Sequence, residues 1–224
     1  MMSTLLETVE VQTQDSVQYS IIWMHGLGAD ANDFVPIVPE LKFPDGVGVR
    51  FIFPNAPVRP ITINNGMAMR GWFDILSLAR IEREEDEQGL YESKEHIEAL
   101  IKRENERGIP SERIFLAGFS QGCAMTLLTG VRYPEKLAGL IGLSGYLPLY
   151  QRTAEEASVA NKDTPIFLVH GNFDPVIPIQ IAHTSHQKLI ELGYQVEWCQ
   201  YPMAHQVCAE EVADLNQFII ANMR

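Results

Sequence analysis

The chain has 224 residues, 46% of them hydrophobic and 21% charged, with a formal net charge of -12 at pH 7. That length suits one domain with a substantial core, expected over residues 1–224, and the composition excludes a disordered or fibrous protein. The negative charge repels phosphate backbones and anionic headgroups, which argues against a nucleic-acid partner. With neither a basic n-region followed by an apolar leader nor an apolar run of spanning length, the sequence predicts a cytoplasmic protein without stable membrane insertion.

Taken in order, Thr8-Val9-Glu10-Val11-Gln12 alternates polar and apolar residues, as a half-exposed strand does, and the polar residues 13–16 suggest an edge hairpin leading into the buried strand Tyr19-Ser20-Ile21-Ile22-Trp23-Met24. That strand runs directly into His25-Gly26-Leu27-Gly28, where glycines let the backbone turn its N–H groups toward a ligand. A short helix on Phe34, Ile37, Val38 and Leu41 is limited by Pro36 and Pro39, and residues 49–53 form another strand. Residues 55–74 are rich in Pro, Asn and Gly and show no sustained period, so a long irregular loop is expected there. The charge run at residues 82–87 reads as a solvated face, and residues 90–107 as a helix on Leu90, Ile97, Leu100 and Ile101, closed by Gly108 and Pro110.

The apolar run Ile114-Phe115-Leu116-Ala117 then turns abruptly at Gly118-Phe119-Ser120-Gln121-Gly122, and Ala124, Leu127, Leu128 and Val131 follow at helical spacing. Strand, tight turn and helix with a serine at the apex is the setting of a nucleophile elbow. A strand at residues 138–143 leads to Ser144-Gly145 and a loop expected to reach Asp163; the strand Ile166-Phe167-Leu168-Val169 leads to His170-Gly171-Asn172-Phe173-Asp174-Pro175. A helix through Ala182, Ser185, Leu189 and Leu192, a strand over residues 194–201, the turn Pro202-Met203-Ala204-His205 and a helix on Cys208, Val212, Leu215 and Ile219 complete the chain. Alternating strands and helices predict an α/β protein with a mostly parallel sheet covered on both faces.

In such a sheet the functional crevice lies at the carboxyl ends of the strands. Ser120, Asp174 and His205 each stand just after a strand, in the order associated with a serine nucleophile on a hydrolase sheet. A serine hydroxyl needs an imidazole to take its proton, which assigns His205 as base, and the imidazolium needs a carboxylate to orient and stabilise it, which assigns Asp174. The developing oxyanion needs backbone donors, and the amides of Gln121 and Leu27 are placed to supply them.

The competing residues have simpler readings. His25 shapes the loop that it opens, His170 reads as packed or backbone-bonded, His183 and His186 have no third ligand in register for a metal, and His96 lies on a charged helix. Asp74 precedes the serine and reads as a structural loop residue. Ser144 lacks a following helix, and the alternative for Ser120 is a helix cap. Cys123, Cys199 and Cys208 are odd in number without C-x-x-C spacing, which predicts reduced, mostly packed thiols rather than disulfides or zinc.

With His25-Gly26-Leu27-Gly28, Pro54-Asn55-Ala56-Pro57-Val58-Arg59-Pro60, Trp72-Phe73-Asp74, Gly118-Phe119-Ser120-Gln121-Gly122, Asp174-Pro175 and Met203-Ala204-His205 in hand, nearly the whole chain resembles the phospholipase/carboxylesterase family of α/β-hydrolases, which includes the acyl-protein thioesterases. The resemblance implies an α/β-hydrolase fold without a large cap domain, a Ser120, Asp174, His205 triad, an oxyanion hole from Leu27 and Gln121, and no metal or organic cofactor. It also implies an acyl groove walled by Ile75, Leu76 and Leu78, with Val176 and Ile177 added. Cys123 and Ala204 depart from the family pattern, each standing where glycine is usual.

The resulting expectation is a carboxylesterase acting on short to medium acyl esters through an acyl-Ser120 intermediate, as a monomer or homodimer. An acyl-protein thioesterase or lysophospholipase is the competing enzyme, and a noncatalytic acyl-ligand binder the competing class.

Overall fold

The computed structural model describes residues 5–77 and 85–223. Its strands are β1 (Thr8–Gln12), β2 (Tyr19–Met24), β3 (Val49–Pro54), β4 (Val58–Ile61), β5 (Met67–Arg70), β6 (Ile114–Phe119), β7 (Gly139–Leu143), β8 (Ile166–Gly171) and β9 (Val196–Tyr201). The helices are α1 (Glu87–Glu106), α2 (Gln121–Arg132), α3 (Tyr150–Glu156), α4 (Ile179–Glu191) and α5 (Ala209–Ala221). Seven strands form one sheet in the order β1-β3-β2-β6-β7-β8-β9, parallel except for the antiparallel pair β1 and β3.

Period-two alternation sorts the strand residues between two cores, one on each face. Ile22, Met24, Leu116 and Leu168 pack with Ile97, Leu100 and Ile101 of α1, Leu127 and Leu128 of α2, and Leu189 of α4. Ile21, Trp23, Phe115, Ala117, Phe167 and Val169 point the other way, against Leu215, Phe218 and Ile219 of α5 and against Ile37 and Val38 of the short 3-10 helix Val35–Glu40. Every residue of α2 is buried, which places the helix that follows Ser120 at the centre of the molecule. Among the described residues no helix is long and apolar enough to cross a membrane.

Three local expectations are corrected. β1 does not form a hairpin with β2; it pairs with β3, Glu10 opposite Ile52. The wholly buried β2 is flanked on both sides by parallel neighbours, which leaves the half-polar β1 at the sheet edge. The segment 55–74 is not wholly irregular, because β4 and β5 pair as an antiparallel hairpin beyond the main sheet. Asn65 and Gly66 supply its positive-φ turn, at 55° and 74°. The loop expected up to Asp163 contains α3, whose Glu156 accepts a 2.6 Å hydrogen bond from the buried Arg132 guanidinium at the end of α2.

Candidate active site

Ser120 joins β6 to α2 with φ 56° and ψ -117°, a region that side chains rarely occupy. The two glycines of the motif make the turn feasible. A Cβ on Gly118 would collide with the Gly122 carbonyl, and one on Gly122 with the Met24 carbonyl at the end of β2. Backbone bonds hold the strained residue from both sides: the Ser120 N–H donates to the Leu143 carbonyl at 2.9 Å, and the Ala124 N–H donates to the Ser120 carbonyl at 3.2 Å. The Ser120 side chain does not cap α2. Its hydroxyl meets His205 Nε2 at 2.9 Å instead.

His205 Nδ1 donates to Asp174 Oδ2 at 2.6 Å. The other carboxylate oxygen accepts the N–H groups of Val176 and Ile177 at 2.8 and 2.9 Å. Asp174 has no exposed side-chain surface, whereas His205 retains 15%, so the carboxylate is shielded and the imidazole reaches solvent beside the serine. Phe119 tilts against the His205 ring at 4.8 Å between centroids and limits its swing. The structure thus brings together the three residues that the sequence singled out.

Leu27 follows β2 and Gln121 follows the serine, and a Cβ built on Gly71 would lie 3.1 Å from the Leu27 side chain and 3.6 Å from that of Gln121. Among the backbone hydrogen bonds of the described residues, neither amide is used as a donor. The loop bends just beyond Leu27, where Gly28 adopts φ 77° and donates to the Arg70 carbonyl of β5 at 2.8 Å. His25 is buried in the same loop. Its Nε2 accepts the Ala56 N–H at 3.1 Å, so the proton sits on Nδ1, 2.6 Å from the Gly26 carbonyl. Burial lowers its pKa, which fits this neutral, structural use.

A clamp around the Gln121 side chain escaped the sequence reading. Its Oε1 accepts the Trp72 N–H and its Nε2 donates to the Phe73 carbonyl, both at 2.9 Å. Trp72 Nε1 donates in turn to the His25 carbonyl at 2.9 Å. These bonds tie the residue after Ser120 to the loops after β2 and β5. The only advance signal was the position of Gln121 inside the motif.

The expected groove residues fall in different environments. Ile75 is half-buried against the core, Leu76 is 40% exposed and Val176 49% exposed, whereas Ile177 is buried. Leu78 lies outside the described residues, as do residues 82–84 of the charge run. Asp74 fastens the loop at its base, accepting the Thr62 N–H at 2.7 Å while its own N–H donates to Asp86 at 2.8 Å.

Of the two departures, Cys123 is completely buried beneath the elbow, where burial pushes its thiol pKa well up. Its side chain occupies space left by two glycines: a Cβ on Gly142 would stand 2.8 Å from the sulfur, and one on Gly145 2.6 Å from it. Ala204 does not adopt a positive φ, so the turn before His205 accepts a side chain without strain. Ser144 has φ 50° but continues its ladder, donating to the Val169 carbonyl. His183 and His186 pack on Trp198 at 5.0 and 5.1 Å.

Comparison with known proteins extends this picture. The family model described as Phospholipase/Carboxylesterase matches residues 6–223. The chain is similar to acyl-protein thioesterase 1 of Yarrowia lipolytica, 38% identical over 209 residues that cover 92% of each protein. It is also similar to the protein of that name in Cryptococcus neoformans, 33% identical over 241 aligned positions covering all of both. Among solved structures, Arabidopsis thaliana SOBER1 matches with a TM-score of 0.87 at 30% identity, over 92% of this chain and 100% of that one. Zea mays acyl-protein thioesterase 2 matches with a TM-score of 0.86 at 26% identity, over 97% and 99%. The architecture is the α/β-hydrolase fold, with no large cap domain among the described residues.

Proposed function

The chain belongs to the phospholipase/carboxylesterase family of serine hydrolases, and on that premise we propose that it cleaves short to medium acyl esters through an acyl-Ser120 intermediate. The observation that carries this reading is the continuous chain from Ser120 Oγ to His205 Nε2 and from His205 Nδ1 to Asp174 Oδ2, at 2.9 and 2.6 Å.

In the first half-reaction Ser120 Oγ attacks the acyl carbonyl carbon while His205 Nε2 takes the hydroxyl proton. Asp174 holds the imidazole in the tautomer that leaves Nε2 free to accept, and stabilises the imidazolium. The carbonyl oxygen, now negative, receives the N–H groups of Leu27 and Gln121; one such donor typically contributes roughly 2.7 to 4 kcal/mol in the transition state. Collapse breaks the bond to the leaving oxygen, which takes the proton from His205. Water then repeats the sequence on the acyl-serine, releasing the acid.

A second reading, hydrolysis of acyl thioesters on proteins, is supported by the printed names of the relatives in Yarrowia and Cryptococcus. The chemistry is the same with sulfur as leaving atom. Leu76 and Val176, apolar and exposed, support a groove whose contribution grows by roughly 0.8 kcal/mol for each methylene that it buries.

The test is a series of acyl esters of increasing length beside matched thioesters, with fluorophosphonate labelling of wild type and Ser120→Ala. Labelling confined to the wild type is expected, with kcat/KM rising along the ester series to a plateau. A wild type that does not label would overturn the nucleophile assignment. A markedly higher kcat/KM on long-chain thioesters would select the second reading.

A further inference from the structure

Asp174 faces two histidines, of which the mechanism above uses one. His170, near the end of β8, is completely buried, and its Nε2 lies 2.8 Å from the Ile177 carbonyl and 3.4 Å from Asp174 Oδ2. That is the same carboxylate oxygen that accepts from His205. His170 Nδ1 is also buried, without a hydrogen-bond partner among the described residues.

We propose that His170 is a positioning residue for the Asp174–His205 pair: a neutral imidazole whose Nε2–H bonds the Ile177 carbonyl, leans on Asp174 Oδ2, and so fixes how that carboxylate meets His205. The inference rests on the triad reading above. A carbonyl only accepts, so the proton of His170 must sit on Nε2. Protonating Nδ1 as well would bury a second N–H with no acceptor, a costly state. The lowered pKa of His170, caused first by burial, agrees with a ring that stays neutral.

The turn is closed from both sides through one residue. The Ile177 N–H holds Asp174 Oδ1, and the Ile177 carbonyl is held by His170. Removing His170 therefore releases the turn that aims the carboxylate and also removes a donor competing for Oδ2. The ionisable groups that act on His170 are Asp174, His205 and, from α4, His183. His183 is itself bonded to Gln200, the β9 partner of His170.

Two variants and one spectroscopic measurement test this. His170→Leu removes the donor, and His170→Gln retains an N–H donor near the position of Nε2. For His170→Leu the expected kcat is lower by roughly ten- to a hundredfold with KM changed by less than about twofold. The acid limb of its pH profile is expected to move up by about half a unit, because Oδ2 is left more fully to His205. His170→Gln is expected to restore most of kcat and the wild-type limb. An unchanged or lowered limb in His170→Leu, or a His170→Gln no better than His170→Leu, would overturn the proposal.

Should the variants fail to fold, nitrogen-15 NMR of the wild type decides. A His170 ring protonated only on Nε2 throughout pH 5 to 8 is expected, and protonation at Nδ1 anywhere in that range would overturn the assignment. Fluorophosphonate labelling separates the two readings. If the wild type fails to label, the triad reading falls; if it labels and the His170 results fail, only the positioning role falls.

Discussion

The turn after β8 and the first turn of α5 each bury a carboxylate, and they treat it in opposite ways. Asp174 receives two backbone N–H groups on one oxygen and the His205 imidazole on the other. Glu211 has only the Cys208 N–H, at a long 3.4 Å, and its Oε1 is buried without a partner among the described residues. Burial pushes the Glu211 carboxyl up to about 8. The lesson is that burial does not by itself make a carboxylate useful to chemistry. Aimed donors do, and where they are missing the group becomes a pH-dependent load on folding.

The largest effect that tests this contrast is expected from Asp174→Asn. An amide cannot serve two backbone donors and the His205 N–H together, so the imidazole loses its productive tautomer and kcat/KM should fall by about 10³ to 10⁴. Steady-state rates on a short ester measure it, and a loss below tenfold would break the contrast.

Glu211 should show the reverse pattern, in stability rather than rate. Its folded pKa is raised above the ordinary value, so between about pH 5 and pH 8 the folded state holds a proton that the unfolded chain releases, and stability falls as pH rises. Glu211→Gln should remove that slope and add on the order of 2 to 4 kcal/mol at pH 8, with no gain near pH 4. Denaturant melts at several pH values check this, and kcat/KM should stay within about twofold of wild type.

Activity itself should fall as pH drops, the opposite slope, because protonated His205 no longer accepts the serine proton. A rate that does not change between pH 5 and 8 would contradict that role. The smallest effect lies between neighbours in the acid turn. Val176→Ala trims an exposed side chain and should lower kcat/KM only on the longer acyl esters, by about threefold. An equal loss on the shortest ester would place Val176 in the turn's structure rather than in the groove.

Much of the site was legible because its signals are local. The elbow combines a strand, two glycines and an apolar helix within residues 114–131, and Asp174 and His205 could be found by asking which polar residues follow strands. The β4–β5 hairpin was missed although Asn65-Gly66 is a strong turn signal, because Pro, Gly and Asn elsewhere in that segment masked two four-residue strands. Helix α3 carried too weak a pattern. It is held by partners remote in the chain: Glu156 bonds Tyr91, 65 positions away, and Arg132, 24 away.

The amino-acid sequence by itself determined the alternation of strands and helices, the elbow, and the order of serine, carboxylate and histidine, since these follow from hydrophobic period and backbone sterics over a few residues. Only the tertiary structure decided what those residues touch. The Ser120–His205 bond spans 85 positions and the His205–Asp174 bond 31, and the Gln121 clamp spans 49 to Trp72. Contacts of that range exist because parallel strands stack their carboxyl ends along one edge, and a chain pattern with a period of two to four residues carries no record of which strand lies beside which. The second histidine on Asp174 belongs to that same class, a packed residue in the sequence and a neighbour of the carboxylate only once β8 and its turn are folded.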